Sequence, residues 1–293
     1  MTSVWARATD ALRRWRENLD PEHRKFLEGL AEVEGQMSSD GWRYLRLADG
    51  EPVPIPYHLR WLLPKLIGAD RKRWGIVQHA SLAALTVAMR AYTGTWASGA
   101  LVLTLPGVST VNRRHPVLVD LPAMTLAVAS AAAVKRGQWG LGAVLSLAGG
   151  ATKESAPVFA AVYAWNPVPL VGLAAPALRY RTPAGDDGIA DFSKACLDQP
   201  WAMAWFTRRE HLTDPKVWLA PWGALLAGFT WNPQTLLTLA LAYGQCLRAV
   251  DNARLYQWAA PVVAANVTRE LPRSSWLPVA LATAFNPWRG EGG

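Results

Sequence analysis

Charged residues are spread unevenly along this chain. From Trp74 to Leu178, 105 residues carry only eight Asp, Glu, Lys or Arg, whereas the 73 residues before them carry 24. Uncharged stretches recur at 217–247, 255–268 and 274–288. Segments such as 121–134 and 155–178 lack any charged face, while a surface helix in water shows an apolar stripe and a charged one. Lipid is the solvent such segments suit. The pattern predicts apolar helices at 75–93, 97–110, 117–134, 138–152, 156–178, 217–230, 234–249, 255–268 and 275–287. Several fall short of the roughly 20 residues of a straight span, and their Ala and Gly content predicts close helix packing. The expected fold is all-α, a polytopic transmembrane helix bundle, with a multi-pass location in a cell membrane. A helical domain with a large apolar core is the competing expectation, and a mean hydropathy near zero fits it.

The flanks of the apolar region divide the chain. Residues 3–19 place Trp5, Ala8, Leu12, Trp15 and Leu19 on one helical stripe. Asp20-Pro21-Glu22 then reads as an N-cap with proline in the first turn, and Phe26, Leu27, Leu30 and Val33 mark a second amphipathic helix. Residues 1–38 are thus expected to be an interfacial or adaptor segment. Residues 39–73, broken by Pro52, Pro54, Pro56 and Pro64, read as a first loop outside the bundle. Residues 74–293 form the expected bundle, with a polar insertion at 179–216.

Charge and composition narrow the partners. The net charge of +8 comes mostly from Arg scattered between apolar segments. Nucleic-acid binding needs basic residues gathered on one face, so that class is set aside, and contact with membrane lipids accounts for the same charge. The 16 Trp and seven Tyr suit headgroup level. Cys196 and Cys246 have no metal-ligand spacing.

Ionisable residues inside or beside apolar segments are expensive and therefore functional suspects. Asp120, the Lys153-Glu154 pair, Arg90, and Asp251 with Arg254 qualify. Each has a plainer explanation: an N-cap for Asp120, snorkelling for Arg90, and mutual pairing for Asp251 and Arg254. Alternation adds weight. If alternate spans return the chain to the same side, Asp40, Arg60, Asp120, Lys153 and Glu154 share one membrane face. Cations there would hold phosphate, and a carboxylate would serve as general base.

Four stretches carry a family resemblance: DGWRYLRLADGEPVPIPYHLRWLLPKL at 40–66, HPVLVDLPAMTLAVASAAAVKRGQW at 115–139, LAGGATKESAPVF at 147–159 and VDNARLYQWAAPVVAAN at 250–266. Their order and spacing resemble the GT-C class of polytopic membrane glycosyltransferases, in the branches that use polyprenyl-phosphate-linked sugars. The resemblance implies inverting transfer of a sugar from a lipid-linked donor to a protein or glycan acceptor. Asp40 would be the catalytic base and Asp120 the second acidic residue. Lys153 and Arg60 would contact the donor phosphate, with Glu154, Asp251 and Arg254 in support. A divalent metal serves some members and not others, so the cofactor stays unassigned. The chain departs from the family in lacking the transmembrane helix expected before Asp40. That departure keeps open a non-catalytic polytopic membrane protein, a pseudoenzyme or scaffold. A transporter is the third class, although no matched pair of broken helices supports it.

Overall fold

The computed structural model describes residues 39–180, 219–245 and 257–285. The amphipathic segment 1–38, nearly all of the polar insertion 179–216, and Asp251 with Arg254 lie outside the described residues. Twelve α-helices and no strand occur among the described residues: α1 (Ser39–Ala48), α2 (Leu62–Ile67), α3 (Arg71–Thr93), α4 (Trp96–Leu103), α5 (Pro106–Arg114), α6 (Asp120–Lys135), α7 (Trp139–Thr152), α8 (Ala156–Ala164), α9 (Ala174–Arg179), α10 (Pro233–Gln245), α11 (Ala260–Glu270) and α12 (Trp276–Ala284). Short 3-10 turns link several of them.

The all-α expectation stands, but the spanning one does not: no helix among the described residues is long and apolar enough to cross a membrane. The multi-pass membrane location is corrected accordingly, for two physical reasons. First, proline falls within the first three residues of eight of these twelve helices, α2, α5, α6 and α8–α12. A helix tolerates proline in its first turn and not further in, so each proline opens a new short helix. Second, α3 is long enough at 23 residues, but it carries Arg71, Lys72, Arg73, Gln78, His79 and Arg90.

The absence of a charged face on 121–134 has a different cause from the expected one. α6 is the central helix, packed against α3, α7 and α8, and 12 of its 16 residues are buried. At 1.5 Å per residue it is about 24 Å long, short of a bilayer core of about 30 Å. Protein surrounds it on most sides, which is what an all-apolar helix requires.

Local signals place the helix ends. Asp70 caps α3 by accepting from the backbone N–H of Lys72 and Arg73, and Gly94 closes it at φ 84°. Thr95 then caps α4 through the N–H of Ala97. Close approach fixes α7 against the turn Val168–Leu173. There, a Cβ on Gly150 would stand 2.1 Å from the Gly172 carbonyl oxygen, and the Ser146 hydroxyl donates to the Pro169 carbonyl at 2.5 Å.

Two apolar cores result. The larger joins α3, α4, α6, α8 and α11 around Leu85, Met89, Met124, Phe159, Tyr163 and Trp258. The smaller packs α1 and its following loop around Tyr44, Tyr57, Trp74 and Val119. Apolar side chains also remain uncovered, among them Leu141 and Val144 on the outer face of α7. The Gly150 contact gives a direct test. Gly150→Ala is expected to lower stability by about 1–3 kcal/mol through overpacking, read as a lower denaturant midpoint. An unchanged midpoint would show that α7 and the turn can separate freely.

Candidate functional site

The polar residues of interest meet where the two cores adjoin. α1 has Asp40 in its first turn and buries Arg43, Tyr44 and Leu47 on one face, the three- and four-residue spacing of a helical stripe. The turn Tyr57–Leu59 folds back onto that helix. Tyr57 donates its hydroxyl hydrogen to Asp40 Oδ1 at 2.5 Å and packs edge-on against the Tyr44 ring. The Arg43 and Arg60 guanidinium carbons lie 4.9 and 5.5 Å from the Tyr57 ring centre.

Arg60 carries the network into the bundle. It donates to the Tyr44 hydroxyl at 2.9 Å and forks onto both carboxylate oxygens of Glu154 at 2.8 and 2.6 Å. Glu154 and its neighbour Lys153 sit between α7 and α8. Lys153 turns inward, where its ammonium donates to Asp120 Oδ1 and lies 5.6 Å from the Trp258 ring centre. The Trp258 indole N–H also faces Asp120 Oδ1, at 3.5 Å.

The positions follow from the backbone around them. The Gln78 side-chain amide on α3 donates to the carbonyls of Pro116 and Leu118 at 2.9 and 2.5 Å, which fixes the segment delivering Asp120. The Tyr163 hydroxyl donates to the Trp258 carbonyl, and the Phe159 ring packs 4.9 Å from the indole. Trp258 therefore has little freedom.

Asp40, Arg60, Asp120, Lys153 and Glu154, expected to share one membrane face, gather at one end of the helices, but no described helix is long and apolar enough to make that end a membrane face. Asp251 and Arg254 lie outside the described residues. Arg90 is elsewhere, at the last turn of α3, with its guanidinium 4.8 Å from the Trp96 ring centre. Four partners went unforeseen: Arg43, Tyr44, Tyr57 and Trp258. Tyr44, Tyr57 and Trp258 are members of the quoted stretches, but nothing in their spacing marks them out from the other aromatic residues.

The electrostatics of the cluster are balanced. Three cations, Arg43, Arg60 and Lys153, stand with three carboxylates, Asp40, Asp120 and Glu154. Burial alone pushes the Glu154 carboxyl up, but attraction and hydrogen bonding from Arg60, with help from Lys153, bring it below its ordinary value. Burial, reinforced by the Asp40 charge, pushes the Tyr57 hydroxyl well above the usual range, so it remains a donor. Burial likewise raises Tyr44, against the pull of Arg60. Among the described residues no group of three or more His, Cys, Asp or Glu is placed to hold a metal ion. Chemically, the arrangement offers a partly exposed carboxylate steadied by a phenol and connected by hydrogen bonds and ring contacts to the Arg60 guanidinium further in.

Comparison of the chain with protein-family models, curated proteins and solved structures gives no match.

Two outcomes follow. Lys153→Met leaves the Asp120 carboxylate buried without its ammonium and is expected to cost about 3–5 kcal/mol, whereas Asp120→Leu combined with Lys153→Met recovers most of that loss. Chemical denaturation of both variants measures the difference, and equal losses would contradict it. The depressed Glu154 carboxyl stabilises the fold fully above its unfolded value of 4.5, and this contribution disappears as pH falls through the lower folded value. Denaturant midpoints taken down to pH 3 should therefore decline less steeply for Glu154→Gln than for the parent chain.

Proposed function

We propose that the protein transfers a sugar from a phosphate-linked lipid donor to a hydroxyl acceptor, with Asp40 as general base. The observation that carries this reading is the link from Asp40 at the rim to Arg60 within, through Tyr57 and Tyr44, with Lys153 next in the chain to Glu154, the partner of Arg60. A base and phosphate-binding cations in one connected cluster suit such a transfer.

Asp40 accepts the acceptor hydroxyl's proton as that oxygen bonds to the anomeric carbon. The bond from that carbon to the phosphate oxygen breaks, and the phosphate leaves with the electron pair. Arg60 and Lys153 stabilise the departing charge. The lipid tail rests on uncovered apolar surface such as Leu141 and Val144 of α7, the helix that ends next to Lys153.

A second reading has its own support. Arg60 is held by both oxygens of Glu154, and Lys153 by Asp120, so a donor phosphate must compete with carboxylates already in place. That favours a non-catalytic scaffold which keeps the cluster for stability. Turnover distinguishes the two. A panel of polyprenyl-phosphate sugars is expected to include one that the purified chain consumes, and Asp40→Asn should slow this by about 100-fold or more with no loss of thermal stability. Consumption of no donor, or an unimpaired Asp40→Asn, would sink the transfer reading.

A further inference from the structure

The opposite end of the helices holds a second arrangement, which the transfer reaction does not use. α6 begins at Asp120 and ends at Lys135, about 22 Å away along its axis. There the Lys135 ammonium lies 4.0 Å from the Tyr92 ring centre. The Tyr92 hydroxyl donates to the Tyr163 carbonyl at 3.0 Å, and the Gln234 amide donates to the carbonyls of Val162 and Tyr163 at 2.8 Å each. Arg269, from the last turn of α11, is close enough to act electrostatically on both Lys135 and Tyr92.

A groove adjoins these groups between the end of α8 and the start of α10. It measures about 240 Å³, opens to solvent, and is lined by Ala161, Val162, Trp165, Asn166, Pro167 and Leu237. Its surface is almost wholly apolar. A cavity of about 150 Å³ accommodates benzene, so the groove has room for an alkyl segment. One wall is Trp165, 59% exposed, which closes α8 as a left-handed C-cap at φ 52°.

We infer that this end of the molecule binds an anionic amphiphile, its alkyl chain in the Val162–Trp165–Leu237 groove and its charged head against Lys135 and Arg269. Charge complementarity decides the occupant. Lys135 is paired with no carboxylate among the described residues, and burial followed by repulsion from Arg269 lowers its affinity for a proton. Glu270 pairs with Arg269 at 2.8 Å, but Lys135 and the nearby Arg136, which donates to the Ala91 carbonyl, keep the group positive. Arg269 also donates to Asn266 Oδ1 at 2.8 Å, so a neutral lipid would chiefly leave Lys135 without a counter-charge. An inorganic anion would leave the groove empty.

This inference does not depend on Asp40 chemistry. Isothermal titration of the full chain with octyl phosphate, octyl glucoside and inorganic phosphate, all below micellar concentration, separates head from tail. Octyl phosphate is expected to bind at least about tenfold more tightly than either of the others, since both parts must act together. Lys135→Gln with Arg269→Gln, both at the surface, should weaken octyl phosphate by about tenfold and leave octyl glucoside unchanged. Leu237→Glu, which puts a like charge in the groove, should weaken octyl phosphate as well. Equal binding of octyl glucoside, equal binding of inorganic phosphate, or octyl phosphate binding untouched by the Lys135 and Arg269 changes would each overturn the assignment. Asp40→Asn should bind octyl phosphate at this end normally even where it abolishes transfer, so the two proposals fail separately.

Discussion

Lys153 and Asp120 lie almost entirely out of water, 3% and 4% exposed. Removing either ion from water alone costs several kcal/mol, so each occupies that depth only because the other is present. The pair ties the start of α6 to the junction of α7 and α8, and Trp258 covers it from the segment leading to α11. Arg60 and Glu154 repeat the device nearer the surface and attach the smaller core to the larger. With the Arg60 and Glu154 pair dismantled, the Tyr57 and Asp40 couple at the rim would lose the guanidinium that packs against Tyr57 and bonds Tyr44. Whatever chemistry the rim performs is therefore conditional on an ionic contact deeper in the protein.

Several of the charges lie at helix ends. α6 starts at Asp120, Lys153 and Glu154 precede α8, Trp258 precedes α11, and Trp74 in the first turn of α3 stacks on Tyr44. Four helix starts thus gather at one end of the bundle. Arg90, Lys135 and Arg269 occupy last turns at the other ends of α3, α6 and α11. A helix carries roughly half a positive charge at its start and half a negative one at its finish. The basic groups at the finishes follow that polarity, and so does Asp120 at the start of α6, whereas α3 opens with Arg71, Lys72 and Arg73 against it. It explains a cation at each finish, though not why Lys135 and Arg269 should lie close enough to repel one another.

Alternation along the sequence anticipated that Asp40, Arg60, Asp120, Lys153 and Glu154 come together, although its premise of one membrane crossing per apolar segment does not hold among the described helices. None of them is long and apolar enough to cross. The lack of charge on 121–134 reflects enclosure by other helices, and a stretch without polar residues is identical on paper in either case. The prolines that divide the apolar stretches were visible, but their consequence depends on their falling in first turns, which only the folded chain reveals. The aromatic partners were hidden for a different reason. Among 16 Trp and seven Tyr, Tyr44, Tyr57 and Trp258 have no distinguishing neighbours, and they acquire roles only through contacts with residues as far as 138 positions away.

The gathering of helix starts bears on how the molecule responds to its surroundings. Mobile ions screen exposed charges over about 8 Å at physiological ionic strength, but they penetrate poorly to peptide dipoles and to cations as enclosed as Lys153. The ion pairs at the Asp120 end should thus persist in concentrated salt. The ammonium and guanidinium at the Lys135 end lie nearer the surface, and their pull on an anion fades as electrolyte rises. One molecule consequently carries two charged poles, one indifferent to brine and the other governed by it.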